Sequence, residues 1–396
     1  MASAKRNSAL YIDKEALATL AMIQEGIFSP VTSLMDQKTA QIVDSTQKYK
    51  DRFFPFSLLL APSGRRNAQT LKNAKKGDKL NLIVDGKNRG FIIAQEVFPI
   101  DRKKRIELIF STSDENHPGV KDILKRLGDL AIYGEFEVEY PNIKEVKTQI
   151  KEAQKEIEAT STAAMMLNAK PLHRAHERMI RSALGENDLV VLFLQKQYKE
   201  DLFSYDLRYK GLEFYIQNYL PKSRVLIVPF ENTYIFAGYN NIILDSIAVK
   251  NFGCDKLIIG ENHSGIGTYY DKRGIHTYYE KFKEEHPDIL IRSEYVYCNE
   301  CRTLVSTKTC PHGTHHHIKY QAGFLQGLLK VGLLPPAVLV RKEISAIYLS
   351  TLFPNRFDDL IKKYNNYFPN DGLIEELDDE KIYLEIMKLH QTVSLT

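Results

Sequence analysis

The spacing of apolar residues changes near residue 155, and that change divides the chain. Before it, short apolar or alternating runs stand between Gly, Pro, Lys and Asp: FPFSLLLAP, DKLNLIV, RGFIIAQEVFPI, KRIELIFST and IYGEFEVEY. Such runs predict the strands of a compact mixed-β barrel or sandwich, with short helices between them. PNIKEVKTQIKEAQKEIEAT is polar and helix-favouring, and reads as a helix at the boundary. Beyond it, apolar runs alternate with amphipathic ones. STAAMMLNA, DLVVLFLQ, RVLIVPFE and DKLIIGENH read as strands; PLHRAHERMIRSAL, YDLRYKGLEFYIQNYL and NNIILDSIAVKNFG read as helices. That rhythm predicts an α/β domain on a doubly wound parallel sheet. From about residue 330 the periodicity is mostly helical, as in FDDLIKKYNNYF, and predicts a small α-rich C-terminal domain. The expected boundaries are 1–155, 156–328 and 329–396.

A doubly wound sheet holds its ligand outside the carboxyl ends of its strands. The loops to search are therefore LNAKPLHRAH, LQKQYKED, FENTYIFAGYNN and GENHSGIG. The formal net charge of +4 over 396 residues gives no case for nucleic acid as the main partner, but allows a local site for an anionic metabolite. No apolar run is long enough to span a bilayer, and the polar start lacks a signal-peptide pattern. The expectation is a cytoplasmic protein without a membrane partner.

In LNAKPLHRAHERMI, Pro171 suits the first turn of a helix, where a missing N–H costs nothing. His173 and His176 then share one face, and the free N–H groups of that turn form an anion site beside Lys170 and Arg174. Two imidazoles there can donate hydrogen bonds to phosphate oxygens as charge moves onto a pyrophosphate leaving group. The bland reading is a pair of surface histidines beside a basic patch, and an isolated H-x-x-H favours it. The preceding strand and the later glycine-rich loop tip the balance toward a site. In that loop, Gly260, Gly265 and Gly267 let backbone approach a ligand, and His263 stands between them.

All four cysteines lie at or beyond Cys254, and three cluster in YCNECRTLVSTKTCPHGTHHH. Cys298, Cys301 and Cys310 with one nearby imidazole fit a closed tetrahedral Zn²⁺ site, which is structural because no coordination position stays open. His315 is the expected fourth ligand, since four intervening residues let the chain turn back. His312 stands close to Cys310, and His316 and His317 are the remaining alternatives.

With these loops in view, the chain resembles the ATP sulfurylase (sulfate adenylyltransferase) family of the prokaryotic zinc-containing type. The resemblance runs over nearly the full length. GIFSPVTSLM, HPGV at 117–120, AGYNNIILDSIAVKNFGCDKLIIGENHSGIG and CPHGTHHH carry it. It implies a PUA-like N-terminal domain, a nucleotidyltransferase domain and a small C-terminal domain, often in a homo-oligomer. It implies the reaction of ATP with sulfate to give adenylyl sulfate and pyrophosphate, with Mg²⁺ arriving on ATP. The family signature Q-x-R-N-P-x-H-x-x-H survives here as Pro171, His173 and His176. Its glutamine, arginine and asparagine positions are Leu167, Ala169 and Lys170. In the family the glutamine and arginine hold sulfate; leucine and alanine cannot. Further family arginines fall at Glu261, Asn240 and Gln326.

The implied roles follow. His173 and His176 stabilise charge on the transferring phosphate, and Lys170 orients an oxyanion. Gly260, His263 and Gly265 hold the adenosine end of ATP. Leu167, Asn168, Ala169, Asn240 and Gln326 line the substrate site. Lys170, Lys196, Lys199 and Arg208 are the cations that could replace lost charge. Two other readings remain open: a nucleotidyltransferase of the same fold with a different acceptor, and a non-catalytic nucleotide-binding or scaffold relative.

Overall fold

The computed structural model describes residues 8–198, 203–261, 263, 270–271, 274–286, 288–354, 356 and 379–390. FDDLIKKYNNYF, Lys199, Gly265 and Gly267 lie outside the described residues. The chain divides into two compact units: residues 1–166, 196–198 and 228–292 form one, and residues 167–195, 199–227 and 293–396 the other.

The first unit opens with a five-stranded sheet in the order Ala9–Tyr11, Lys79–Val84, Lys87–Pro99, Leu127–Val138, Leu60–Pro62. Asp85 and Gly86, both at positive φ (48° and 75°), turn Lys79–Val84 into its antiparallel neighbour Lys87–Pro99. An Asp-Gly pair suits this, because a tight hairpin needs left-handed backbone at both central residues. One expected strand is a helix. KRIELIFST falls largely in Arg102–Phe110, where Asp101 caps the first turn by accepting from Lys104 N at 3.1 Å. Its buried Ile106, Ile109 and Phe110 follow helical spacing, and its start signal decided against the strand.

A second five-stranded sheet runs in the order Val225–Glu231, Leu189–Lys196, Thr162–Leu167, Lys256–Gly260, Ile289–Arg292. Lys256–Gly260 pairs in parallel with both Thr162–Leu167 and Ile289–Arg292. The first of these strands in sequence, Thr162–Leu167, therefore stands mid-sheet, where strand order reverses and where doubly wound sheets place their ligands. Its six residues are all buried, which explains the unbroken apolar run. Helix Asn240–Phe252 in the first unit is almost entirely buried and stops at Gly253, whose φ of 100° suits a left-handed cap.

In the second unit, helices Arg174–Glu186, Tyr205–Tyr219 and Lys342–Leu352 form where amphipathic periodicity predicts them or in the C-terminal α-rich part. A three-stranded antiparallel sheet of Thr303–Ser306, Tyr295–Cys298 and His317–Lys319 carries the cysteines. No described helix is long and apolar enough to cross a membrane.

Candidate functional site

The turn after Thr162–Leu167 is fixed from both sides. Ala169 adopts φ 47°, a left-handed conformation that a residue with a Cβ rarely takes. Tyr348 Oη donates to Ala169 O at 3.1 Å. The buried Arg208 donates from Nη1 to Asn168 O (2.9 Å), Asn168 Oδ1 (3.4 Å) and Gln195 O (2.9 Å), and from Nε to Phe203 O (3.3 Å). Leu167 and Ala169 are 3% and 1% exposed, so they shape the turn from inside and offer a ligand almost nothing. Lys170 is half-buried, and its peptide bond to Pro171 is cis.

The helix begins at Arg174, three residues after Pro171, so Pro171 belongs to the turn and not to the first helical position. His173 is the N-cap: its Nδ1 accepts from His176 N at 3.4 Å. Arg174 N donates to Leu339 O at 2.9 Å. Two of the amides expected to hold an anion are thus engaged by protein. The two imidazoles lie on each other, with centroids 3.6 Å apart and planes at 17°. The far face of His173 meets Tyr320, centroids 5.2 Å apart, and His173 is 6% exposed. His176 is half-buried, and its Nδ1 has no hydrogen-bond partner. Burial lowers the pKa of both rings, for His173 reinforced by the neighbouring imidazole, and brings His176 down to about 4. The pair is neutral at physiological pH. It can direct hydrogen bonds at a phosphate but supplies no cation.

The residues of the first unit form separate clusters. His263 is buried, and its Nε2 meets Asp245 Oδ2 at 2.7 Å and Asn241 Nδ2 at 3.3 Å. Burial raises the pKa of Asp245, opposed by the hydrogen bond and charge of His263. One nitrogen of His263 is therefore held from behind, which fixes its ring. Gly260 ends its strand. Asn240 is buried and engaged at both ends of its amide: Nδ2 donates to Leu108 O at 2.6 Å, and Oδ1 accepts from Tyr278 Oη. Both ends of its amide thus already have protein partners, which leaves a second lone pair on Oδ1 for any ligand. Gln326, in the second unit, is half-buried on helix Ala322–Lys330.

Sequence reading missed one network altogether. Glu231, 1% exposed at the end of its strand, accepts from Tyr198 Oη at 2.5 Å and from Asn142 Nδ2 at 3.4 Å, and lies 3.6 Å from Lys196 Nζ. Tyr140 Oη and Tyr198 Oη are 2.8 Å apart. Burial and the Glu231 charge raise the pKa of both phenols. Lys196, expected to supply free charge, already has a carboxylate.

In the cysteine sheet, Cys298, Cys301, Cys310 and His312 bring their donor atoms within 4.8 Å of one another. His312 Nδ1 lies 3.5, 3.2 and 3.6 Å from the three sulfurs in that order, and Cys301 Sγ is 3.8 Å from Cys310 Sγ. A tetrahedron with metal–sulfur bonds of about 2.3 Å has sulfur–sulfur edges of roughly 3.8 Å, so the donor set fits Zn²⁺. The expected fourth ligand, His315, is exposed, outside this group and against His316, with centroids 4.0 Å apart. His312 takes its place. The objection that it follows Cys310 too closely fails, because side chains two apart in non-helical chain can point to one side.

A family model described as ATP-sulfurylase matches residues 141–351, and one described as PUA-like domain matches residues 1–140. The chain is 28% identical over 367 residues to the sulfate adenylyltransferase of Psychrobacter sp. (strain PRwf-1), covering 87% of this chain and 85% of that protein. It is 26% identical over 353 residues to that of Halothermothrix orenii, covering 86% and 91%. A solved structure, the hexameric APS kinase from Thiobacillus denitrificans, shares the fold at TM-score 0.63 and 18% identity. The match covers 89% of this chain and spans 64% of that one.

Proposed function

Because the chain belongs to the ATP-sulfurylase family, we propose that it is a cytoplasmic sulfate adenylyltransferase, converting ATP and sulfate to adenylyl sulfate and pyrophosphate or running the reverse reaction. The observation that carries this is the H-x-x-H turn itself. It caps a helix directly after the mid-sheet strand Thr162–Leu167, inside the matched region. A sulfate oxygen attacks the α-phosphorus; the new P–O bond forms as the bond to pyrophosphate breaks. The chemistry needs no protein nucleophile, so the protein supplies placement and hydrogen bonds.

His176, the less buried ring, donates to an oxygen of the transferring phosphoryl group. His173 holds its neighbour's amide and ring in place. Lys170 gives the charge, and Mg²⁺ carried by ATP neutralises the phosphates. The adenosine end is assigned to Gly260, His263 and Gly265. Cys298, Cys301, Cys310 and His312 would hold Zn²⁺ as a structural staple, with no part in the reaction. The domain boundaries near 155 and 328 and a homo-oligomeric state complete the proposal.

One observation favours a second reading, a different acceptor. Lys196 is paired with Glu231 and Arg208 with backbone carbonyls, so neither is placed to replace the family's sulfate-binding side chains. Each lost charged hydrogen bond is worth about 1.5–3 kcal/mol.

The test is ATP-dependent pyrophosphate release with sulfate, and ATP formation from adenylyl sulfate and pyrophosphate. His176→Ala is expected to lower turnover about 10²–10³-fold, the scale of a lost transition-state donor. Release with an amine or carboxylic acid but not with sulfate selects the second reading. No turnover in either direction with folded, zinc-loaded protein removes the enzymatic one.

A further inference from the structure

Helix Arg174–Glu186 contributes to something besides the histidine turn. A cavity of about 560 Å³ in the second unit is lined by Arg174, Arg178, Arg181, Arg302, Arg341 and Lys342. Neither His173 nor His176 lines it. Two carboxylates, Glu177 and Glu343, face these six cations, a formal excess of four. That equals the net charge of the entire chain.

The charge is not consumed internally. Glu177 takes two arginines, with Oε1 2.8 Å from Arg341 Nε and Oε2 3.3 Å from Arg174 Nη1. Arg341 lies over the Tyr219 ring at 3.7 Å, and Arg181 donates to Tyr219 O at 2.7 Å. These three arginines form a fixed floor. The side chains of Arg178, Arg302 and Lys342 have no hydrogen bond, ion pair or ring contact among the described residues. Glu343 has none either and stays as the one opposing free charge. The wall also includes the first residues of helix Lys342–Leu352, an 11-residue helix whose N-cap Arg341 supplies no side-chain acceptor. Its dipole adds to the positive field.

We propose that this cavity is a second ligand site, for a chain of two or more phosphates, either inorganic or on a nucleotide. Cations collected in a concave, partly buried wall repel one another and focus their field on whatever enters. Arginine forks match phosphate oxygens in pairs, so three unengaged cations suit several phosphates better than one. The volume exceeds the need of a single oxyanion and falls in the range of small-molecule pockets, about 300–1,000 Å³. Tyr297, Leu304 and Val338 line it as well and offer an uncharged wall for the rest of a nucleotide. The proposal does not depend on the catalytic assignment.

Calorimetric titration at physiological salt tests it, with inorganic tripolyphosphate and ADP as separate probes. Three full-length, metal-loaded proteins are compared: the unaltered chain, R178E/R302E and His176→Ala. Arg178 and Arg302 are exposed and unbonded, so their replacement removes no structural contact, and thermal melting verifies this. The expected result is a binding event that weakens at least tenfold in R178E/R302E and persists in His176→Ala. Tripolyphosphate and ADP binding alike identifies the phosphate chain as the ligand; tighter ADP identifies the nucleotide. Binding lost only in His176→Ala supports the catalytic turn and overturns this site. So does unchanged affinity for both probes in R178E/R302E, or no binding of either to the unaltered chain.

Discussion

The cysteine sheet and the histidine turn both belong to the second unit, and they treat their polar atoms in opposite ways. Around His312, three sulfurs and a ring nitrogen converge with one another as the main partners. In the turn, most polar groups are already engaged by protein. Arg208 holds Asn168 and Gln195, Tyr348 holds Ala169, His173 caps His176, and Leu339 takes the amide of Arg174. Donor atoms that converge in this way have the spacing of a tetrahedral metal site. Donors engaged by the fold describe a scaffold, and in the turn the Nδ1 of His176 is a buried polar atom without a hydrogen-bond partner among the described residues. The two regions should therefore fail differently when disturbed.

The largest expected effect is on the cysteine side. A chelator, or Cys301→Ser, should lower stability by about 4 kcal/mol or more, or ~10 °C in melting temperature, because the ion's binding energy is folding energy. Metal analysis should find about one zinc per chain in the unaltered protein and almost none in the variant. Equal melting with and without chelator would dissolve the contrast between the two regions.

Next comes Arg208→Met. It leaves the carbonyls of Asn168 and Gln195 in the interior without their donor, at roughly 3 kcal/mol by denaturant titration. A loss below about 0.5 kcal/mol would mean that the turn holds itself.

The remaining effect is a pH dependence. His176 has a folded-state pKa near 4 against an ordinary 6.5, and His173 is also depressed. Between those values the unfolded chain binds more protons than the folded one. Stability is therefore complete above about pH 6.5 and declines as pH falls toward 4. Urea unfolding across this window should show the slope, and His176→Ala should flatten it. An unchanged slope would place the proton uptake elsewhere.

Much of the scaffold could be read directly from residue order. Thr162–Leu167 and Leu189–Lys196 are buried on both faces, so their apolar runs are unbroken. The cysteine spacing gave three of the four clustered residues for a related reason, since local chemistry imposes local spacing. What could not be read depends on partners far away in sequence. Glu231 is joined by Tyr198, Asn142 and, through Tyr198, Tyr140, and no periodicity links those positions. The partners of Asn240, Leu108 and Tyr278, are likewise distant in sequence. His315 lost its place to His312 over the direction of one short peptide stretch, which residue counting cannot supply.

Arg208 has one more consequence. A guanidinium keeps its proton at any pH a cell meets. The backbone of the turn after Thr162–Leu167 is thus fastened by a guanidinium, while the two stacked imidazoles are groups that acid can change. Acid near pH 4 should charge the His176 ring while Arg208 keeps its hold on the backbone, and the change should reverse on neutralisation.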